Sequence, residues 1–263
     1  MVGDVNPCGS HAAPKLFWRD AGLRLLECPH CGLVWLDPPA ASAALYGDAY
    51  FDRYYAKSRD LRRAYFEARL DELALAPGRV LDVGSGIGIF LEAARSRGWS
   101  AFGVEPFAAP QKDVHRGTLD DAPFAEASFD LITFWDVLAH LPAPLDALRR
   151  ARRLLAPGGT LLIKTPNRSR LHLAIARLLA PLKATCGWLH LPAQMFQFSP
   201  VSLRAMVEAA GFADVRVMPA AEALPMRWRD ALRGARAFGE HLLRRVLRLV
   251  QSESFILTAR AGS

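Results

Sequence analysis

The stretch Val80-Leu81-Asp82-Val83-Gly84-Ser85-Gly86-Ile87-Gly88 decides the fold of this chain. Its first half is an apolar run of strand length, and its second half is a glycine-rich turn. Glycine lacks a Cβ and tolerates positive φ, so such a turn lets backbone approach a ligand closely. A short distance on, Phe102-Gly103-Val104-Glu105-Pro106 reads as a second strand ending on a carboxylate. A carboxylate at the tip of the neighbouring parallel strand can accept the two hydroxyls of a ribose. The two segments together predict a nucleoside-containing ligand lying across the carboxyl ends of a parallel sheet.

The glycine spacing narrows the ligand. A dinucleotide fold carries G-x-G-x-x-G with a helix N-terminus aimed at a pyrophosphate. Here the spacing is G-x-G-x-G, and Asp82 stands two residues before the first glycine. An acid there repels a pyrophosphate and suits a ligand with an ammonium group. S-adenosylmethionine has an ammonium, a sulfonium and no phosphate. No G-K-[ST] follows the loop, which excludes a phosphate-binding loop of the Walker type.

Outward from this loop, strands and helices alternate, the pattern of a doubly wound α/β fold. Strands are expected near Arg79 to Val83, Ala101 to Glu105, Val114 to Arg116 and Phe129 to Phe134, with a fifth after Pro157-Gly158-Gly159. Helices are expected from Ile89 to Arg97, Leu145 to Leu155 and Ser202 to Ala210. Only Pro106 to Asp113 separates Glu105 from Val114. A crossover with its helix needs about ten to twelve residues, and Pro106 and Pro110 disfavour a regular helix. The second crossover is therefore expected to be truncated, leaving one flank of the ligand site more open.

Several further segments carry a resemblance. Phe129 to Leu138 followed by His140-Leu141-Pro142, Leu154 to Ile163 around Pro157-Gly158-Gly159, Thr165-Pro166-Asn167, Phe198-Ser199-Pro200 with Leu203, and Gly211-Phe212 stand in the order and spacing of one family. The chain resembles the class I S-adenosylmethionine-dependent methyltransferases over roughly residues 60 to 260, and is similar to the ubiquinone-pathway O-methyltransferase-like group. The resemblance implies a mostly parallel, seven-stranded Rossmann-like sheet, with a sixth strand at Asp214 to Met218 and an antiparallel seventh at Phe255 to Ala259. It also implies cofactor contacts. Asp82 faces the methionyl ammonium, Gly84 and Gly86 allow close approach, and Glu105 takes the ribose. Leu119 and Asp120 meet the adenine edge, with Asp121 as the alternative to Asp120. Trp135 lies near the transferred methyl. For the acids, a helix cap or a solvated loop is the structural alternative.

The cysteines read separately. Cys8, His11, Cys28 and Cys31 form C-x2-H and C-x2-C pairs, each placing two ligands on one tight turn. Two such knuckles can close a tetrahedron around a structural Zn²⁺. Phe17-Trp18 and Leu23 to Leu26 can form a hairpin between them, giving a small zinc-ribbon-like element. Three alternatives compete: a disulfide, which the expected cytoplasmic setting disfavours; His11 as an exposed tail residue, with a three-ligand site; or a vestigial site. Similar ribbon-bearing methyltransferases carry cysteine where His11 stands. Cys186 reads as packed.

The expected organisation is a ribbon-like element over 1–40, a helical cap or linker over 41–78, and the Rossmann-like domain over 79–263 with a helical insertion near 168–192. The aromatic run from Tyr46 to Tyr55 either caps the cofactor or docks the N-terminal helix.

Catalysis is less marked. His140, after the fourth strand, is the candidate general base, since imidazole titrates near neutrality. Its alternative is to cap the following helix. His190 is a weaker candidate. Gln194 and Gln197 stand where the resemblance leads one to expect histidine, and glutamine cannot act as a base.

The chain has 263 residues, 51% of them hydrophobic, and a net charge of +7. No run of eighteen uncharged apolar residues suggests a spanning helix, and residues 1–10 lack a charged-then-apolar leader, so a cytoplasmic protein is expected. The positive charge concentrates in two amphipathic stretches, Arg168 to Leu191 and Trp228 to Val250. These suit peripheral contact with an anionic membrane, or they pack as ordinary helices. Dispersed rather than blocked arginines make nucleic acid the least favoured partner. The sequence therefore points to methyl transfer at O or C onto a small-molecule or carrier-bound acceptor. Its rivals are an RNA methyltransferase and a decayed cofactor-binding scaffold.

Overall fold

A computed structural model describes residues 6–20, 22–39, 58–107, 109–168, 170–178, 189–220 and 254–262. The Tyr46–Tyr55 aromatic run and the Trp228–Val250 stretch lie outside the described residues, as does Cys186.

The chain opens with three antiparallel strands, β1 (Lys15–Asp20), β2 (Leu23–Glu27) and β3 (Val34–Leu36). Helix α1 (Arg59–Leu73) leads into β4 (Arg79–Val83), α2 (Ile89–Ser96), β5 (Ser100–Val104) and the two-residue β6 (Val114–His115). Then come β7 (Phe129–Trp135), α3 (Pro144–Leu154), β8 (Leu155–Pro166) and α4 (Arg170–Leu178). The chain ends with β9 (Phe196–Gln197), α5 (Pro200–Ala209), β10 (Phe212–Pro219) and β11 (Ser254–Ala261).

Seven strands form the central sheet in the order β10-β11-β8-β7-β4-β5-β6. The run β8-β7-β4-β5-β6 is parallel, and β11 is antiparallel to both its neighbours. This is the expected α/β architecture. Strand β4 is buried from Val80 onward because helices cover both faces of a parallel sheet. Sheet order places β4 at the centre of the parallel run and reverses direction of growth there, so its carboxyl end lies at a topological switch point, where α/β sheets bind ligands.

Two apolar clusters cover the two faces. One joins α1 and α2 to the sheet through Leu70, Phe90, Leu91 and Leu131. The other joins α3 and α5 to the opposite face through Leu148, Leu154, Leu203 and Met206. Helix α3 starts on Pro144 and buries the stripe Leu145, Leu148, Ala151 and Leu154, the helical period expected of a packed surface helix. Helix α5 begins with a reciprocal capping box between Ser199 and Ser202.

The truncated crossover is present as expected: residues 106–107 and 109–113 contain no helix. The N-terminal element is joined to the rest of the chain by a strand pairing. Its β3 pairs antiparallel with β9, Val34 with Gln197 and Trp35 with Phe196, giving the four-stranded order β1-β2-β3-β9. Leu25, Leu33 and Trp35 join the same apolar cluster as α3 and α5. Gly9, at φ +83, lies so close to α5 that a Cβ there would meet the Ala209 side chain at 2.8 Å. No helix among the described residues is long and apolar enough to cross a membrane.

Candidate active site

The carboxyl ends of β4, β5 and β7 converge on the glycine loop. Gly84 has φ +75, and a Cβ on it would lie 2.4 Å from Val137 Cγ2. Only glycine fits there, because the turn after β7 presses directly on the loop. Ser85 Oγ is buried in this loop without a hydrogen-bond partner among the described residues.

Glu105 follows β5 and is 6% exposed. Its Oε2 accepts the Gly86 amide at 2.9 Å, and its Oε1 accepts the Phe107 amide at 2.9 Å. A carboxylate has about four acceptor positions, so each oxygen retains one. That arrangement fits the two hydroxyls of a ribose. Gln111, in the truncated crossover, donates from Nε2 to the Gly86 carbonyl at 2.7 Å. The short segment thus folds back over the glycine loop. Gln111 carries no signal in the sequence, since a lone glutamine in a proline-broken loop has no pattern.

Asp82 is 2% exposed and accepts the Thr133 hydroxyl on β7 at 2.8 Å. Burial, helped by the nearby Glu105 charge and opposed by Thr133, pushes its pKa up to about 8. A cationic ligand group beside it would favour the ionised form. Thr133 is not among the expected site residues; its signal in the sequence is a polar position within the apolar β7 run.

Across the loop, Leu119 is buried and Asp120 is exposed. Asp121 accepts the Thr118 amide at 2.7 Å and hydroxyl at 3.0 Å, and lies 3.2 Å from His115 Nε2. Those bonds tie Asp121 to its own loop, and both acids are exposed.

Trp135 stands at the tip of β7, as expected, but its ring is taken up by an aromatic cluster. Phe66, Phe90 and Tyr65 lie at centroid distances of 4.9, 5.5 and 6.1 Å. The next residue, Asp136, has φ 57 and accepts Lys164 Nζ at 2.6 Å.

His140 closes a short 3-10 turn, Leu138–His140, whose amide bonds to the Val137 carbonyl at 2.8 Å. The side chain is hydrogen-bonded to the Ala193 backbone, and burial holds its pKa below the usual histidine value. His190 is also lowered, by burial and by the Arg168 charge. Gln194 and Gln197 serve the loop itself. Gln194 accepts Arg168 Nη2 at 2.9 Å, and Gln197 donates to the Gln194 carbonyl at 2.8 Å.

The sulfurs of Cys8, Cys28 and Cys31 lie within 4.8 Å of one another, all three buried and unpaired by disulfide. Tetrahedral Zn–S bonds of about 2.3 Å place sulfurs about 3.8 Å apart, so three soft donors at this spacing fit such an ion. Asn6 Nδ2 points at Cys28 Sγ from 3.7 Å. His11 does not join the group and is exposed. The reason is the turn itself. Asn6 donates from its amide to the Ser10 carbonyl at 2.7 Å and from its side chain to the Ala12 carbonyl at 2.6 Å. This closure directs Cys8 inward and His11 outward. The expected four-ligand set is therefore corrected to three cysteines among the described residues.

A family model described as a methyltransferase domain matches residues 55–217, more than half of the chain. A ubiquinone biosynthesis O-methyltransferase of Hahella chejuensis is 36% identical over 115 aligned positions, which take in 38% of this chain and 48% of that protein. The chain spans about half the length of the curated relatives it matches. Among solved structures, a chain from the complex of the Haloferax volcanii Trm112 methyltransferase activator with a methyltransferase superposes with TM-score 0.55 at 20% identity. That superposition covers 81% of this chain and 98% of the other. A geranyl diphosphate methyltransferase in complex with S-adenosylmethionine superposes with TM-score 0.54 at 19% identity, covering 84% and 96%. At such identities the superpositions speak for the fold.

Proposed function

The chain belongs to the class I S-adenosylmethionine-dependent methyltransferase family, and on that premise we propose that it methylates a hydroxyl of a small-molecule or carrier-bound acceptor. The observation that carries the cofactor half is the Glu105 carboxylate held on the Gly86 amide at 2.9 Å beside the glycine loop. The likeness to O-methyltransferases of ubiquinone biosynthesis supports the acceptor half.

When bound, S-adenosylmethionine supplies a methyl carbon on a sulfonium, open to in-line attack by an acceptor oxygen. The chain's own residues do the rest. Gly84 and Gly86 admit the cofactor to the sheet edge, Glu105 orients the ribose, Asp82 meets the ammonium, and Leu119 with Asp120 borders the adenine. Holding the acceptor aligned supplies most of the acceleration in a displacement of this kind. His140 is suited to take the hydroxyl proton. Burial keeps its imidazole neutral at pH 7. With one ring nitrogen donating to the Ala193 backbone, the basic lone pair falls on the other.

The same reading includes a structural zinc on Cys8, Cys28 and Cys31, a cytoplasmic setting in keeping with three adjacent cysteines outside any disulfide, and peripheral membrane contact through the basic stretch that follows Arg168. The test is transfer of labelled methyl from S-adenosylmethionine into fractionated cell extract. Label is expected in the organic-soluble small-molecule fraction as a methyl ether. Label confined to RNA would replace this reading with the nucleic-acid one.

A further inference from the structure

Among the described residues, Arg168 is a buried cation without a counter-ion. It follows β8 by two residues, its amide bonds to the Phe198 carbonyl at 2.6 Å, and it is 8% exposed. Nη1 lies 3.0 Å from His172 Nε2, and Nη2 donates to Gln194 Oε1 at 2.9 Å. Guanidinium has donors only, so His172 Nε2 must accept, which makes that imidazole neutral. Gln194 is neutral as well. The Nε of Arg168 is buried with no partner among the described residues. No carboxylate among them comes within ion-pair distance of it.

Burial lowers the Arg168 pKa to about 10, so the charge persists at neutrality. Buried charges are ordinarily paired, because taking an ion out of water is costly. Among the described residues, two neutral acceptors, His172 and Gln194, face its five N–H donors. The charge also belongs to the acceptor side of the site. It depresses His190, and His190 in turn acts on His140. The loop that holds Gln194 bonds to the His140 turn through the Met195 amide and the Ala139 carbonyl at 2.9 Å. A role confined to bracing that loop would need no charge.

We propose that Arg168 receives an oxyanion of the acceptor, a carboxylate or phosphate, so that the enzyme takes an acidic acceptor whose anionic end docks at this guanidinium. The guanidinium fork matches either group in bidentate fashion. This rests on the small-molecule methyltransferase reading and names the charge of its acceptor.

The test uses the full chain saturated with S-adenosylhomocysteine and titrated separately with benzoate, inorganic phosphate and the neutral isostere benzamide. At least one of the two anions is expected to bind and benzamide is not; whichever anion binds identifies the group. Arg168→Gln should weaken that anion by about ten- to a hundredfold, as loss of a charged hydrogen-bond donor does, with S-adenosylhomocysteine still bound. Gln194→Glu provides an independent arm, because it sets a carboxylate against the guanidinium from within. It should raise the melting temperature and abolish anion binding, which a bracing role does not predict. Absence of anion binding to the wild-type chain, or equal binding by Arg168→Gln and Gln194→Glu, would overturn the proposal. Failure to bind S-adenosylhomocysteine at all would instead overturn the methyltransferase reading beneath it.

Discussion

Glu105 reaches from the end of β5 to the amide of Gly86, 2.9 Å away, and so ties the second strand of the site to the glycine loop of the first. Its other oxygen holds the Phe107 amide at the same distance. The residue therefore shapes the turn and keeps lone pairs for a ligand at once. Glu105→Gln exchanges one acceptor oxygen for a donor and cannot satisfy both amides. Cofactor affinity is expected to fall about ten- to a hundredfold, the scale of a lost charge-assisted bond. Calorimetric titration of the variant checks this, with circular dichroism to show the fold is kept.

Asp82 makes stability depend on pH in a set direction. Its folded pKa of about 8 lies above the ordinary 3.8, chiefly through burial. Below the lower value both folded and unfolded states are protonated and nothing is lost. As pH rises toward 8 the unfolded chain ionises while the buried carboxyl resists, so the contribution disappears through that window. Asp82→Asn does not titrate. Its stability relative to wild type should climb between pH 5 and pH 8, with a slope of at most about 1.4 kcal/mol per pH unit. Denaturant midpoints at several pH values measure it, and parallel profiles would show that the group is not buried as an acid.

Cys8, Cys28 and Cys31 predict metal. Protein purified without chelator should carry about one zinc per chain, as expected of a single thiolate site, read by elemental analysis. Cys28→Ser should lower that content and loosen the β1-β2-β3-β9 sheet. Because β3 pairs with β9, and Met195 just before it bonds to Ala139, the loss should also be felt at the His140 turn. A change in the His140 imidazole NMR signal on metal removal would report it.

The parts of this protein that could be read from sequence are those where local pattern and site coincide. Val80 to Gly88 is at once a buried strand and a ligand turn, and Pro106 with Pro110 announced the missing helix. What could not be read depends on distant pairing or on turn geometry. Nothing near Trp35 indicates that Phe196 will extend its sheet, since a two-residue strand has no period. The outward turn of His11 is set by the Asn6 side chain, not by the cysteine spacing. Arg168 looked like one of many dispersed arginines, and its isolation emerges only when its neighbours prove to be His172 and Gln194. Trp135 stands at the expected strand tip, but its ring packs on Phe66, from a segment that the sequence marks as a helical cap or linker without naming its partner.

The central claim is that the loop from Gly84 to Gly88 and Glu105 hold S-adenosylmethionine. Isothermal titration of the full chain with S-adenosylmethionine tests it most directly, with the Glu105→Gln variant alongside. Saturable one-to-one binding by the wild-type chain, weakened in the variant, is the predicted result. No heat of binding up to about 1 mM ligand, where even a weak site of about −4 kcal/mol is half filled, would contradict it.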